Sequence, residues 1–386
     1  MRRSVERHDV IVVGVGGVGS AATYHLARRG VDAVGIERFD VPHAKGSSHG
    51  RTRLAQRALD LDPATAALAD RARDLWRDLE ATTGRDLVTE TGSLAVGPTG
   101  EDPVASARRA CERHGLAFEA MTGGDCADRF PVYDFPAECE VVYQPEGAVL
   151  AAERGVVAHV AAAIDAGATV RARERVCDWS ASESGVRVET DRDVYAAESL
   201  VVAAGGWAAE AVDALSGVVE PQRHATAWFG PSGSPDGPGR AAVAGLDPAE
   251  RPPAFVATVD GEDYYGVPGI DLPGLKVGRG DFRPTAPDDV VEPTQADERP
   301  LRAFAESHVP GAAGAPLRLT TGMVTTTPDM QFVLDTLPDT GRVAVAAGLS
   351  GRGYKFAPVI GEVLADLALD GATDHDCSAY ALSRFE

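Results

Sequence analysis

The N-terminal part of the chain alternates between apolar runs and apolar positions at helical spacing. Residues 9–14 (DVIVVG) form a β-branched apolar run that is typical of a buried strand. Apolar side chains then recur at helical spacing over residues 17–30, where Gly30 ends the pattern, and a second apolar run follows at 33–37. The pattern predicts a β–α–β unit with two parallel strands.

The same patterns continue along the chain. Amphipathic or apolar helical spacing predicts helices over 62–84, which begins at the helix start signal Asp62-Pro63, and over 151–167 and 353–370. Apolar or alternating runs predict strands at 92–96, 140–145, 174–180, 185–190, 199–204 and 343–347.

The texture changes between about residues 216 and 320. Proline and glycine become dense, as in the loop 230–239, and short alternating segments predict strands at 222–229, 253–259, 263–268 and 274–279. Such alternation is typical of an antiparallel sheet, which we expect to be inserted into the parallel fold. The fold class is therefore predicted to be α/β.

Charge and cysteine content narrow the function classes. The 386 residues include 37 Lys plus Arg and 58 Asp plus Glu, a net charge of −21, so we expect no nucleic-acid partner. The five cysteines are scattered without a C-x-x-C pair, and the histidines have no metal-ligand spacing, so we expect neither a disulfide framework nor a metal site. The N-terminus lacks an apolar signal segment and the apolar runs are short, which predicts a cytoplasmic protein without a membrane partner.

The first candidate motif is G-x-G-x-x-G at Gly14, Gly16 and Gly19, between a predicted strand and helix. Glycines there allow a tight turn, close approach of a pyrophosphate and close helix–strand packing, and the helix N-terminus favours phosphate. Glu37, at the end of the next strand, is suited to accept a hydrogen bond from a ribose hydroxyl. The motif predicts a dinucleotide site, with FAD and NAD both open.

The second motif is GSSHGRTR at residues 46–53. It matches G-x-S-x-G, the nucleophile elbow of hydrolases, but residues 42–45 before it form a loop rather than a strand, which argues against that interpretation. Small hydroxyls, glycines and two arginines instead suit a loop along a diphosphate or a flavin.

Two later strands also end in glycines. Residues 199–204 lead into Gly205 and Trp207, and residues 343–347 lead into a Gly-rich loop from Gly348 to Gly353 before a helix. A second strand–loop–helix unit can direct N–H groups at an electron-rich ring. Two distant segments that converge on one ligand favour FAD over NAD.

Four stretches of the chain together resemble a known family. These are residues 9–30, 37–53, 263–278 and 343–371, and they are similar to the monomeric sarcosine oxidase and N-methyltryptophan oxidase family, within the D-amino-acid-oxidase-like flavoproteins. The resemblance implies a Rossmann-like FAD-binding domain with an interleaved α+β substrate domain that carries an antiparallel sheet. We assign residues 1–85, 150–215 and 321–386 to the first domain, and 86–149 and 216–320 to the second.

The resemblance also implies an activity: oxidation of a secondary amine or amino acid at its C–N bond to an imine, with O₂ reduced to H₂O₂. Lys276 matches the family lysine that activates O₂, and Lys355 matches the lysine that binds the substrate carboxylate. Arg53 matches an arginine held against the flavin, and Tyr265 a tyrosine of the substrate cavity. Only three lysines occur in the chain, so two of them at such positions are notable.

The residues expected to contact FAD follow from these motifs and from the resemblance. They are Gly14, Gly16, Gly17, Gly19, Glu37, Arg38, Ser47, Ser48, His49, Thr52, Arg53, Val176, Ala204, Gly205, Trp207, Gly348, Ser350, Gly351, Gly353 and Lys355.

Four positions depart from the family pattern. The cysteine that bonds the flavin falls at Gly322, which predicts non-covalent FAD. The arginine that assists the carboxylate-binding lysine falls at Gln56, with Arg57 next to it. A histidine of the site falls at Gly280 and a cavity tyrosine at Val324. These changes predict a wider, less basic pocket and a substrate larger than sarcosine.

Three other functions stay open at this point. A flavin-dependent dehydrogenase would pass electrons to another acceptor, a non-catalytic flavin-binding module would lack turnover, and an NAD-linked dehydrogenase would use only the first motif. We expect a monomer or small homo-oligomer whose partners are a small amine and O₂.

Overall fold

A computed structural model of the chain describes residues 5–58, 62–233, 251–289, 291–339 and 341–386. The first four residues and most of the predicted Gly/Pro loop, from 234 to 239, lie outside the described residues. The helices within the described ranges are α1 (Gly17–Arg28), α2 (Pro63–Thr83), α3 (Val104–His114), α4 (Gly123–Arg129), α5 (Ala152–Asp165), α6 (Ala208–Ala211), α7 (Gln295–His308) and α8 (Ala357–Asp370).

The strands within the same ranges run from both ends of the chain. They are β1 (Val5–Arg7), β2 (Val10–Val13), β3 (Ala33–Ile36), β4 (Thr52–Ala55), β5 (Val88–Glu90), β6 (Ser93–Gly97), β7 (Glu119–Thr122), β8 (Glu140–Gln144), β9 (Ala148–Ala151), β10 (Thr169–Arg171), β11 (Val176–Ser182), β12 (Gly185–Thr190), β13 (Val194–Ala197), β14 (Ser199–Val202), β15 (Glu220–Phe229), β16 (Ala254–Val259), β17 (Glu262–Pro268), β18 (Leu275–Arg279), β19 (Arg283–Pro284), β20 (Pro316–Thr326), β21 (Val333–Thr336) and β22 (Val343–Ala347).

A six-stranded sheet forms the centre of the nucleotide-binding half. Its order is β10-β3-β2-β14-β22-β21, and every neighbouring pair is parallel except β21 with β22. The strands β2, β3, β14 and β22 are fully buried, because helices cover one face and the small sheet β1-β13-β12-β11 lies on the other side. The predicted parallel α/β core is confirmed.

Local sequence explains where the main helices begin and end. The Asp62 carboxylate accepts hydrogen bonds from the N–H groups of Ala64 and Thr65, each at 3.0 Å, and Pro63 occupies the first turn of α2. Gly84 ends that helix with φ of 64°. The predicted helix over 353–370 is divided: Gly353–Phe356 form a 3₁₀ turn, and α8 begins at Ala357 because Pro358 fits only a first turn.

The second half of the fold is a nine-stranded sheet. Its order is β19-β15-β18-β17-β16-β6-β8-β7, with β20 paired to β15. The expected antiparallel pairing holds for all pairs except β16 with β6, which are parallel because β6 comes from the earlier segment of the chain. Strand β20 runs across the boundary expected at residues 320/321, and the domain boundaries stay a prediction.

Apolar side chains fill separate cores on these layers. One core packs α1, α2, α5 and α8 against the parallel sheet around Leu26, Trp76 and Ile360. Another packs α7 against the large sheet around Phe255 and Phe304. A three-stranded antiparallel sheet, β4-β9-β5, lies between the two halves of the chain order and holds the segment that follows GSSHGRTR. Among the described residues, no helix is long and apolar enough to cross a membrane.

Candidate active site

A cavity of about 1040 Å³ lies at the carboxyl ends of the parallel strands and extends beneath the large sheet. Its walls include the loop after β2, the end of β3, the loop 46–53, and the segment 349–355 after β22. The carboxyl edge of a parallel sheet is where α/β folds bind their ligands. The large sheet contributes β15, β17, β18 and β20 to the opposite wall.

The N-terminal turn of α1 forms one end of this cavity. Gly16 precedes the helix, and no side chain in the described ranges caps its first turn. A Cβ added at Gly16 would meet nothing closer than Ser48 Oγ at 3.7 Å, so the backbone there is open to the cavity. The Ser48 hydroxyl accepts a hydrogen bond from the Gly17 N–H at 3.0 Å, which joins the second motif to the first. The uncapped helix end is suited to an anionic phosphate.

Glu37 lies beside that turn with only 5% of its surface exposed. Its carboxylate accepts hydrogen bonds from the N–H groups of Val15 and Phe39, both at 2.9 Å, and contacts His43. Burial alone would raise the pKa of Glu37, but the hydrogen bonds from His43 and the two backbone donors hold it below the usual value. Glu37 is therefore ionised and can accept a further hydroxyl.

Arg38 closes the same end of the cavity with residues from the large-sheet half. Its guanidinium binds the Asp288 carboxylate through both nitrogens at 3.0 Å and lies over the rings of Phe39 and Trp207. Trp207 Nε1 donates to Asp288 Oδ1 at 3.0 Å. The pKa of Asp288 is lowered by the hydrogen bond from Arg38. This clamp joins two distant parts of the chain over the nucleotide end.

The loop 46–53 is fixed from two sides. The Glu153 carboxylate, in the first turn of α5, accepts the N–H groups of Gly50 and Arg51 at 2.7 and 2.9 Å. From the opposite wall, Lys276 Nζ donates to the carbonyl oxygens of Gly50, at 3.1 Å, and Thr52. The loop is thereby held along the middle of the cavity, and this position explains why its sequence is rich in glycine.

Lys276 lies on β18 and is only 4% exposed. Burial, with a smaller contribution from the Arg53 charge, holds its pKa well below the usual value for lysine. Such an amine changes its protonation readily when a nearby group gains or loses charge.

Lys355 faces the same cavity from the turn before α8. Its Nζ lies 5.5 Å from the centre of the Phe356 ring, and within the described part of the chain no carboxylate forms an ion pair with it. Burial, together with the Arg352 charge, lowers its pKa to about 7. An anionic ligand would supply the counter-charge that the protein does not provide.

A second wall pairs Tyr265 of β17 with His224 of β15. The Tyr265 hydroxyl and His224 Nε2 are 2.9 Å apart, and Phe282 packs against the imidazole with ring centres 5.1 Å apart. Burial lowers the pKa of His224 to about 3 and raises that of Tyr265 to about 12. Both groups are therefore neutral near pH 7.

Arg53 and Tyr354 lie between the loop and the α8 turn. The Arg53 guanidinium donates to the carbonyl oxygens of Ser47 and Thr52 and lies 5.9 Å from the centre of the Tyr354 ring. Tyr354 in turn stacks on Trp76 with ring centres 5.6 Å apart. Arg53 is thus immobilised by backbone acceptors, with its planar face available to the cavity.

Most residues predicted from the sequence line this one cavity. Those that do are Gly14, Gly16, Gly17, Glu37, Arg38, Ser47, Ser48, His49, Thr52, Arg53, Gln56, Val176, Ala204, Gly205, Trp207, Tyr265, Lys276, Gly322, Val324, Ser350, Gly351, Gly353 and Lys355.

Four predicted positions lie outside the cavity wall. A Cβ at Gly19 would come 1.7 Å from the Gly14 carbonyl oxygen, so Gly19 serves helix–strand packing. Gly348 has a positive φ of 59° and packs against Thr327. Gly280 pairs with Asp263 at the sheet edge. Arg57 points into a neighbouring pocket, where it pairs with Glu146.

The sequence interpretation missed several wall residues. His224, Thr226, Phe282 and Asp288 line the cavity, and Glu153 supports its loop. His224 and Thr226 are two residues apart on β15, so alternation places them on one face, but only the pairing of β15 with β18 and β20 places that face over the cavity. An imidazole is therefore present although position 280 is glycine.

The residues present fit an FAD molecule along this cavity. The open helix end suits the diphosphate, Glu37 suits a ribose, and Arg53, Lys276 and Lys355 surround the far end. Two buried polar atoms, Thr52 Oγ1 and His49 Nδ1, have no protein hydrogen-bond partner among the described residues, as expected beside a polar ligand. The volume is at the upper end of the range for ligand pockets, about 300–1,000 Å³.

Comparisons with known proteins agree with this fit. A model of the family described as FAD dependent oxidoreductase matches residues 9–367. The chain is 36% identical over 383 residues to the monomeric sarcosine oxidase of Bacillus sp. (strain NS-129), covering 97% of this chain and 96% of that protein. It is 31% identical over 388 residues to the N-methyl-L-tryptophan oxidase of Yersinia pestis (strain Pestoides F), covering 98% and 99%.

Solved structures show the same fold over the whole chain. The amino acid oxidase NikD of nikkomycin biosynthesis superimposes with a TM-score of 0.83 at 25% identity, covering 98% of both chains. Glycine oxidase from Geobacillus kaustophilus superimposes with a TM-score of 0.81 at 22% identity, covering 98% of this chain and 99% of its own.

Proposed function

The chain belongs to the family of FAD-dependent oxidoreductases that includes the monomeric sarcosine oxidases and N-methyl-L-tryptophan oxidases, and on that premise we propose that it oxidises an N-substituted amino acid. The C–N bond loses two electrons and two protons to become an imine, which water then hydrolyses to an amine and a carbonyl product. O₂ receives the two electrons and two protons and leaves as H₂O₂. FAD, when bound, supplies the two-electron carrier between amine and acceptor.

The observation that carries this proposal is Lys355, a partly charged amine with no carboxylate partner among the described residues, on the wall of the FAD cavity. A substrate carboxylate would bind there and stabilise the ammonium form. The neutral pair of Tyr265 and His224 lies on the same cavity wall and adds no competing charge near pH 7. The site therefore supports a substrate with one carboxylate, bound by Lys355 without the arginine that Gln56 replaces.

Lys276 supports O₂ as the acceptor. It is a buried amine held by two carbonyl oxygens and next to no carboxylate in the described part of the chain. A preorganised cation in a desolvated site stabilises the negative charge that O₂ gains when it is reduced.

A Lys276→Met variant tests the acceptor. We expect its reoxidation by O₂ to slow by at least about 100-fold, while reduction by the amine under anaerobic conditions slows by less than about tenfold. Both rates are measured by stopped-flow absorbance of the flavin, with Lys45→Met, an exposed lysine, as the matched control. Equal slowing of both half-reactions, or none in either, would refute this role and favour a dehydrogenase that uses another acceptor.

The substrate class is tested by a screen of secondary amines with and without a carboxylate. Peroxide release and anaerobic bleaching of the flavin are both recorded. We expect amines with a carboxylate to be oxidised, and larger ones in preference to sarcosine. A flavin that no secondary amine reduces would contradict the proposed function and leave only a flavin-binding role.

We also infer that FAD is held without a covalent bond. Gly322 offers no thiol, and a Cβ placed there would already lie 3.0 Å from His49 Nε2. Acid precipitation should release the flavin into the supernatant, and flavin retained in the pellet would refute this. A cytoplasmic location and a monomeric or small homo-oligomeric state stay predictions.

A further inference from the structure

A second pocket of about 170 Å³ adjoins the FAD cavity. Gln56 and Lys355 line both, so only these two side chains stand at the junction. The remaining wall comes from one face of α2 and from β5, β8, β9 and their loops. A group anchored at Lys355 can therefore extend in two directions.

The floor of this side pocket is apolar. Trp76 and Leu150 are 3% and 2% exposed, and Ala69, Leu116 and Val88 complete the surface. The Trp76 Nε1–H donates to the Lys355 carbonyl oxygen at 3.0 Å, which fixes the indole and the junction relative to each other. A rigid apolar floor with an aromatic ring favours an apolar or aromatic group.

Charged side chains at the rim of the pocket neutralise one another. Arg57 pairs with Glu146, Arg77 pairs with Glu90 at 2.5 Å, and Arg73 lies 3.8–4.0 Å from both carboxylates. Each lining carboxylate already has a guanidinium partner, so the rim offers no free charge to a charged substituent. The unpaired amine at the junction, Lys355, is the exception within the described residues.

We propose that this side pocket binds the side chain of the substrate, and that this side chain is apolar and about the size of a phenyl ring. The inference rests on the proposed function: the carboxylate binds Lys355, the N-methyl group enters the FAD cavity, and the side chain of the α-carbon enters the side pocket. A cavity of about 150 Å³ holds a benzene ring in another protein, so the volume fits. Gln56 leaves open the junction that the family arginine would narrow.

The test narrows the pocket from α2. Ala69 lines the pocket, whereas Ala67 is exposed and lies outside the lining, so Ala69→Leu is compared with Ala67→Leu. Wild type should have a kcat/KM for N-methylphenylalanine at least about tenfold above that for sarcosine. Ala69→Leu should lower the first value at least about tenfold and change the second less than about threefold, and Ala67→Leu should change neither.

Binding is measured separately from turnover. Acetate and phenylacetate are titrated against the flavin absorbance of the holoenzyme, and Ala69→Leu should weaken phenylacetate at least about tenfold while acetate is unaffected. Ala66→Leu, on the same wall, replaces Ala69→Leu if the latter does not retain flavin.

The outcomes separate the two proposals. If wild type oxidises N-methyl amino acids but Ala69→Leu affects both substrates equally or neither, the side pocket does not bind the side chain. If no amine is oxidised but phenylacetate binds and is weakened selectively, the pocket stands and the proposed function fails. Wild-type preference for sarcosine over N-methylphenylalanine would also overturn the inference.

Discussion

Lys276 and Lys355 bring the same functional group to one cavity, and their surroundings give them different properties. Lys276 is held by two backbone carbonyl oxygens and is almost fully buried. Lys355 has an aromatic ring beside it and a pKa of about 7, so a bound anion decides its charge. At the scale of the residue, the difference is one of hydrogen-bond partners, which no residue type reveals.

The binding of a carboxylate by Lys355 should depend on pH. The pKa of this amine is lowered to about 7, so the ammonium form is present below that pH and is lost above it. Acetate remains ionised throughout, so its inhibition constant should be constant below about pH 6.5 and rise about tenfold per unit above about pH 7.5. Competition assays from pH 6 to 9 measure this.

Two variants control the assignment. Lys355→Met should bind acetate weakly at every pH, and Lys45→Met, at an exposed site, should keep the wild-type profile. If Lys355→Met retains the rise of the inhibition constant above pH 7, another group carries the effect.

The turn between β2 and α1 shows how one element combines folding and binding. Gly19 packs against the Gly14 carbonyl, whereas Gly16 faces open space. The two glycines of one motif thus have separable tasks. The second element of this kind is the loop 46–53, which Glu153 and Lys276 hold from opposite walls.

Alanine substitutions should separate the two glycine tasks. A Cβ at Gly19 would lie 1.7 Å from the Gly14 carbonyl oxygen, so Gly19→Ala should lower the unfolding temperature of the apoprotein by at least about 5 °C and lose FAD as well. Gly16 has φ of −77°, which alanine adopts readily, so Gly16→Ala should leave that temperature within about 2 °C.

FAD affinity is the second measurement for this pair. Gly16→Ala should weaken FAD at least about tenfold, because the methyl group occupies the space of the diphosphate. Thermal unfolding of the apoprotein and titration with FAD distinguish the cases. A Gly16→Ala protein with normal FAD affinity would place the diphosphate elsewhere.

At the scale of the whole molecule, the cavity exists because two sheets meet. The parallel sheet supplies the cradle, and the large sheet supplies Lys276, Tyr265 and His224. The clamp of Arg38 with Asp288 joins the two halves again at the nucleotide end. Opening between the halves would therefore affect FAD retention before it affected either core.

The Asp288→Asn substitution tests this clamp. It removes the charge that binds Arg38 while preserving shape, so the dissociation constant of FAD should rise about two- to fivefold, as expected for a partly exposed ion pair. Asp289→Asn, next in sequence and outside the cavity wall, is the control. The measured quantity is FAD affinity at low and high salt, and the effect should shrink with salt. An unchanged affinity at low salt would show that the clamp does not hold FAD.

The sequence by itself determined the parallel core, the dinucleotide cradle at Gly14–Gly19 with Glu37, and the start of α2 at Asp62-Pro63. These features depend on short-range periodicity, backbone conformation and capping, all of which are written within about 30 residues. The resemblance then placed Arg53, Tyr265, Lys276 and Lys355, which line one cavity.

Only the tertiary structure decided the rest of the site. His224 faces Tyr265 because β15 pairs with β18 and β17 also pairs with β18, a register between strands about 40 residues apart. Arg57 turns to Glu146 and so leaves Lys355 alone at the junction with the side pocket. Pairing between distant segments and the burial that sets each pKa are long-range properties, and for that reason periodicity along the chain could not supply them.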